Sequence, residues 1–514
     1  MTHLRFLLAA ACAAAAATTL AAAAEDLLEA NLAQARSIVP AAGKPASDDA
    51  LAKLKAEVMA KQKVWAERLA RPATADELLK GLPESALTQA HDLAADSAKT
   101  AAALRSGVTL ELLLALAPER NPEVRVAYQN WRATTRRFEQ AWYLEELVAT
   151  YRAFVRELDT KVGPRTHKEM PGMTFAFPSV LALKGEVIDA DADIAWLNYR
   201  LALRKALNEV ARGFVEVQYT KGAIANLRET KALFSQMAQS AQARLEAGKA
   251  SQADALKAQS ELAIVETRLV TMERERTNRI AQVNSMLALP VGAEWGACTE
   301  TDLAARVPSL DDALSQARAG NQKLLAARKD VELMQLMVRM AETEVLPRAS
   351  VGYSQVAPSV GADAGPTRSM MAVFPERQEV NAEQAPFGVN AAYIDELRVK
   401  VQAARAMQAA AEAETDFGVK NALFMLDASQ RNQQTYKERV VPQSKQAFDT
   451  AKAQYGSGNS PFIELLDAGR SYLENTLMLE GARRDRNKSV IDLQDAVGAS
   501  AAPLAGKRAE DGGR

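Results

Sequence analysis

Histidine is nearly missing from this 514-residue sequence, with three in all, and cysteine is scarcer still, with two. Each shortage removes a class of chemistry. His3, His91 and His167 lie near no recognisable catalytic motif, so no acid–base or nucleophilic constellation can be assembled around them. Cys298 has no local nucleophile signature. It is left alone once Cys12, which lies in the extreme N-terminal stretch, is set aside, so no intramolecular disulfide is expected and packing must supply the stability. Gly456-Ser457-Gly458 lacks the following Lys-Ser/Thr of a phosphate loop. No enzyme, no cofactor and no metal ligand set is read from the chain. Charge of one sign is also missing. Lys and Arg number 63 against 64 Asp and Glu, a formal net charge of −1, whereas nucleic-acid binding draws on a basic surplus. Aromatics are 5% of the residues. After the first 24 residues no apolar run of about 20 follows, so no membrane-spanning helix is expected.

The N-terminus reads as an export signal. His3 and Arg5 precede an apolar stretch from Phe6 to Leu20, and Ala22-Ala23-Ala24 before Glu25 has the small-residue pattern of a cleavage site. The residues before Cys12 run Leu8-Ala9-Ala10-Ala11, with alanine where a lipidation signal usually carries leucine, so lipid attachment is not expected.

The remaining chain contains an internal duplication. Leu110, Ala117, Asn121 and Ala127 recur as Leu310, Ala317, Asn321 and Ala327, at a constant offset of 200. Each copy opens with a hydroxyl cap and an acidic first turn, Thr109 with Glu111 and Ser309 with Asp311 and Asp312. Further on, Ala243 to Gly248 matches Ala453 to Gly458, Leu256 matches Leu466 and Ala258 matches Ala468, at an offset of 210. Val291-Gly292 and Val497-Gly498 form a third pair, at an offset of 206. A period near 200 is too long for a solenoid and describes a domain doubled once.

Each copy predicts a long helical hairpin. From Asp189 to Glu246 there is no proline, and alternating charge with good helix formers predicts one helix. Gly248 supplies a turn, and helix resumes from Ser251 to Leu289 with a seam at Leu262, Val265, Leu269 and Met272. The second copy predicts helix from Ile394 to Tyr455, a turn through Gly456–Ser460, and a return helix from Pro461 to Ala496. Helices of this length must pack on others like them, which makes an oligomer the economical solution. Two proline-bearing stretches, 147–185 and 346–388, are candidate β-hairpins. Met173 to Phe177 and Ala349 to Val356 are their best strands. The resulting layout is a signal peptide at 1–24, a helical extension at 25–107, repeats at 108–307 and 308–498, and a disordered tail at 499–514.

The motifs Leu110-Glu111 through Asn121-Pro122-Glu123-Val124, Arg244 through Gly248, Leu256 through Gln259, Tyr455 through Gly458 and Phe462 through Ala468 stand in an order that resembles the TolC-like outer-membrane efflux proteins. The resemblance covers about residues 108–498 and leans toward the metal-resistance branch. It implies a mainly α fold, in which duplicated long hairpins form an α-barrel and short β-hairpins contribute to a trimeric β-barrel. It implies a homotrimer in the outer membrane with a large periplasmic part. Its hairpin tips would meet a periplasmic adaptor and an inner-membrane pump, and small molecules or metal ions would pass without chemistry. Carried onto this chain, the docking tips are Arg244, Leu245, Gly248, Ser251 and Asp254 on the first hairpin, and Tyr455, Gly458, Ser460 and Phe462 on the second. The extension at 25–107 lies outside the family pattern. The alternative is a soluble periplasmic scaffold that keeps the hairpins and lacks the barrel.

Two sharper readings compete with plain packing. Met334, Met337 and Met340 form a helical stripe of thioethers suited to Cu(I), or simply to filling a core. Glu246 and Asp254 near the tips would suit a cation-selective constriction, or ordinary surface ion pairs.

Overall fold

A computed structural model describes residues 48–70, 76–138, 173–175, 178–248, 251–303, 307–344, 349–351 and 387–505. The expected signal peptide and most of the two proline-bearing stretches lie outside these residues. The chain forms two compact units. One comprises Met1–Ala70, Arg132–Ile194 and Arg328–Ala406. The other comprises Arg71–Trp131, Ala195–Ala327 and Met407–Arg514.

The elements follow in chain order. Helix α1 is Asp48–Ala70, a 3-10 turn covers Glu77–Leu79, and α2 (Glu84–Ala94), α3 (Ser97–Ser106) and α4 (Leu110–Arg120) succeed it. Helix α5 runs over 122–138. Strand β1 (Met173–Phe175) leads into α6 (Pro178–Glu246), and α7 (Gln252–Met286) returns. The second copy has α8 (Leu310–Gly320), α9 (Gln322–Glu344), β2 (Ala349–Val351) and α10 (Phe387–Thr435). A π-helical turn, Tyr436–Val440, joins α10 to α11 (Val441–Ser457), and α12 (Phe462–Ala496) returns before the short α13 (Ala502–Ala505).

Helix α6 has 69 residues, about 100 Å at 1.5 Å per residue. It starts 11 residues before the expected Asp189. Residues 178–185 fall within a candidate β-hairpin in sequence, but a proline in the first turn of a helix lacks only an N–H that the helix would leave unpaired there. Pro442 lies in the interior of the outgoing helix of the second hairpin, where it can neither donate nor leave room for the preceding carbonyl. The π turn immediately before it widens the helix at that point.

Among the described residues, three residues of each expected strand are extended. β1 pairs antiparallel with β2, with Met173 opposite Val351 and Phe175 opposite Ala349. The pairing therefore joins one copy to the other. Among the described residues no helix is long and apolar enough to cross a membrane.

In the first unit, Ala190 of α6 packs with Leu333 and Leu336 of α9, and Met334 and Met337 fill in around them. Met337 also reaches a second cluster of Ala341, Ile394 and Leu397. Two members of the methionine stripe, Met334 and Met337, are core filling here, as flexible thioethers allow; Met340 is half-buried and belongs to neither cluster.

In the second unit, α4 reads LELLLALAPER, and all its residues from Leu112 to Pro118 are buried. A helix apolar on every side must be covered on every side. The N-terminal segment provides that cover: α2 packs along α4, burying Ala86, Ala90 and Leu104 with Leu78, Leu79 and Leu82. The equivalent helix α8 buries only Ala313 and Ala317 and leaves Leu310 exposed. The extension is therefore a structural part of the first repeat rather than an appendage. The first residues of the expected tail, 499–505, are among the described ones, and Ser500 to Ala502 are packed. Ala501 and Ala502 are fully buried, Ser500 Oγ donates to the Leu78 carbonyl, and Pro503 lies against Gly81.

Candidate functional site at the hairpin tips

The two hairpins of the second unit end in turns built by different local means. After α6, Gly248 takes a left-handed φ of +70° and donates to the Leu245 carbonyl at 2.9 Å. Ser251 then caps α7. Its hydroxyl accepts from the Asp254 N–H at 3.2 Å, while the Asp254 carboxylate accepts from the Ser251 N–H at 3.3 Å, a reciprocal capping box. After α11, Gly458 takes φ +80°. Pro461 precedes α12, and Ser460 Oγ donates to Glu464 Oε2 at 2.5 Å. Neither Gly248 nor Gly458 has an atom within 4 Å of where a side chain would begin. Backbone conformation, not crowding, asks for glycine at both.

Arg244 ties the tips together. Its Nη2 donates to the Gly456 carbonyl at 2.7 Å, and its guanidinium lies 4.3 Å from the Tyr455 ring centroid. Tyr455 meets Phe462 edge to face at 5.4 Å. Behind them lies one apolar cluster drawn from four helices. It includes Phe234 and Met237 of α6, Ala258 and Val265 of α7, Phe448 of α11, and Leu465, Leu466 and Leu473 of α12. Gly469 lets Phe234 and Phe448 close over α12 at 3.4 Å from a would-be Cβ. Arg470 of α12 pairs with Glu261 of α7. The predicted seam belongs here: Val265 is buried, and Leu262, Leu269 and Met272 pack against the cluster.

The nine tip residues thus divide. Phe462 is 2% exposed and Tyr455 7%. They hold the tips to each other and present almost no surface to a partner. Gly248, Ser251 and Gly458 are exposed, and Leu245, Asp254, Ser460 and Arg244 are half-buried. Glu246 is exposed and accepts from Gln242 at 3.1 Å. Two apolar side chains outside the expected tip set stand in solvent beside the turns, Leu256 and Ile463. Their signal was available, since both precede the buried positions Ala258 and Leu465 by two residues, on another helix face.

The end of each hairpin opposite its tip is fastened by an asparagine. Asn121 donates to the Met286 carbonyl at 3.0 Å and accepts from the Val124 N–H. Asn321 donates to the Ala496 carbonyl at 3.1 Å and accepts from the Lys323 N–H. Beside Asn121, Arg120 donates to the carbonyls of Leu287 at 3.0 Å, Ala288 at 3.0 Å and Ala94 at 2.8 Å, and to Ser97 Oγ at 2.7 Å. On the second copy, Asp495 receives Arg204 at 3.1 Å, Arg212 at 3.0 Å and Asn208 at 3.1 Å.

None of these groups is arranged for catalysis. His91 lies on the surface with Glu119 3.7 Å away. Cys298 is buried, and burial pushes its thiol pKa up, away from the reactive thiolate.

Doubled long hairpins fastened at both ends define a mainly helical, internally duplicated class of protein. The chain belongs to the outer membrane efflux protein family, whose model matches residues 186–289 and 313–499. It is accordingly an outer-membrane channel protein and not an enzyme. Solved structures share the fold. The outer membrane protein VceC of Vibrio cholerae is 15% identical at a TM-score of 0.57, over 76% of this chain and 96% of that one. The CmeC outer membrane channel of Campylobacter jejuni is 10% identical at 0.56, over 76% and 85%. The MtrE outer membrane channel of Neisseria gonorrhoeae, in its open state, is 16% identical at 0.56, over 76% and 89%. A search of curated proteins finds no match by sequence.

Proposed function

We propose that this protein is the outer-membrane duct of a tripartite efflux system. It works as a homotrimer that passes small molecules or metal ions outward from the periplasm, with its hairpin tips docked to a periplasmic adaptor coupled to an inner-membrane pump. The observation that carries this reading is an uncovered apolar stripe on α10. Phe417 is 70% exposed and Phe424 61%. They are seven residues apart and so lie on one helix face, with Val399, Met407 and Met425 also in solvent. Soluble monomers rarely leave such a row uncovered. Further copies of the same chain, which present the exposed Ile264 and Val270 of α7, are its natural cover. The exposed tip residues Gly248, Ser251, Gly458 and Leu256 then form the adaptor-facing end.

Membrane fractionation tests the reading. The protein is expected in the outer-membrane fraction and, after detergent extraction, at the mass of three chains. Recovery as a detergent-independent monomer from the periplasm would favour the scaffold alternative and refute the duct.

A further inference from the structure

Helix α1 lies outside the residues that match the family, yet it is fastened to α6 in a specific way. Lys61, Trp65 and Arg68 stand at i, i+4 and i+7, one face of α1. Trp65 Nε1 donates to Asp189 Oδ1 at 2.7 Å, and Lys61 Nζ is 3.2 Å from the other oxygen of the same carboxylate. One turn on, Asp193 takes Arg68 at 3.7 Å and Lys329 of α9 at 3.2 Å. Arg68 also lies over the Trp65 ring at 4.6 Å. Between them, Asp191 is engaged by Arg137 of α5 at 2.8 Å. Three alternate aspartates on α6 thus collect cations from three other helices. Trp65 is 3% exposed, whereas its neighbours Val64 and Ala66 are in solvent.

We infer that α1 is a releasable strap: Asp189 and Asp193 of α6 form a receptor for a helix offering a cation, an indole N–H and a second cation, and the chain's own α1 is the occupant. Release is built into the chemistry. The ion pairs are about one-third exposed, and salt screens such pairs. One aromatic side chain supplies the buried anchor. Seated, the strap joins α1 to α9 through the shared Asp193. Released, it uncovers an acidic ledge next to the site vacated by the indole.

Limited trypsin digestion of the full-length, detergent-extracted protein tests this, with fragments identified by mass. In Asp189→Asn/Asp193→Asn, cleavage after Lys61 and Lys63 is expected to be at least about tenfold faster than in the parent, with cleavage in α7 and α12 unchanged. Raising sodium chloride should accelerate the same cuts in the parent but add little in the variant. Trp65→Phe, which keeps an aromatic ring but a smaller one and loses the donor, should fall between the two. Cleavage in α1 indifferent to both salt and the aspartate changes would overturn the strap. Uniformly faster cleavage along the whole chain would overturn it too, because the aspartates would then serve folding in general.

Discussion

The side-chain amide of Asn121 donates to the main-chain carbonyl of Met286, 165 residues away, at 3.0 Å. Asn321 makes the equivalent bond to Ala496 at 3.1 Å. In both copies an asparagine that begins one helix closes the open C-terminus of another, satisfying orphan groups at two helix ends with one side chain. The conspicuous asparagines of the repeat are therefore clasps for the hairpins. Replacing Asn321 by alanine is expected to lower the free energy of unfolding by about 1–3 kcal/mol, from a lost cap and an unpaired carbonyl. Chemical denaturation measures it, and a change within 0.5 kcal/mol would refute the clasp.

Arg120 should be less tolerant still. Its four hydrogen bonds reach three carbonyls and Ser97. Arg120→Met keeps much of the stem but strands those carbonyls, at a cost of roughly 3 kcal/mol or more. Loss of thermal stability is the expected outcome, and Arg120→Lys should recover only part of it because an ammonium cannot span the same acceptors.

Ala288 has a positive φ of +49°. It stands where the second copy has Gly498, at φ +86°. The hydrogen bonds agree: Leu289 N–H donates to Asn284 at 2.9 Å, and Ala499 N–H to Gln494 at 2.8 Å, both at the 210-residue offset of the tips. The sequence match of Val291-Gly292 with Val497-Gly498 is thus displaced by four residues, and Ala288 is the true counterpart of Gly498. Alanine is strained in the left-handed region, so Ala288→Gly is expected to stabilise the protein by about 0.5–1 kcal/mol. Gly458→Ala should destabilise by about 1–2 kcal/mol for the same reason. A melting temperature that falls for Ala288→Gly would contradict this account.

Glu480 of α12 sits with its carboxylate against the backbone of Gly222 in α6, near Arg483 and Glu300. Burial raises its pKa above the ordinary 4.5, Arg483 opposes that and Glu300 adds to it. The folded chain therefore holds this proton more tightly than the unfolded chain. The stability so gained is complete below about pH 4.5 and is lost as pH rises through the raised value. Glu480→Gln should melt higher than the parent at pH 7, with the advantage shrinking toward pH 4. An equal difference at both pH values would be evidence against it.

Phe417→Asp and Phe424→Asp test the proposed assembly. Both side chains are mostly exposed, so helix content should be unchanged. Light scattering in detergent should instead report a shift from three chains toward one. An intact trimer with both changes would remove the α10 stripe from the interface.

Much of this protein could be read without its structure because much of it is local. The caps at Thr109, Ser309 and Ser251, the turns at Gly248 and Gly458, and the seam through Val265 depend on hydrogen bonds and periodicity within a few residues. These features expose the duplication, and with it the family. The expected helix does pass Pro442, with a π turn just before it. Elsewhere local signals misled, and neighbours further along the chain had decided the outcome. Pro178 opens a helix whose expected start is Asp189. The two strands pair across copies because pairing partners are chosen in space. Tyr455 and Phe462, adjacent to turns and so expected on the surface, are buried because four helices converge on them. The extension before residue 108 had no counterpart in the second copy, and only packing explains it, since α4 is apolar all round and needs a cover that α8 does not. Sequence by itself determined the caps at Thr109 and Ser309 and the turns at Gly248 and Gly458, because main-chain hydrogen bonding there is settled nearby. Tertiary structure alone decided which faces are shared and which remain open, because burial is a contest among segments hundreds of residues apart.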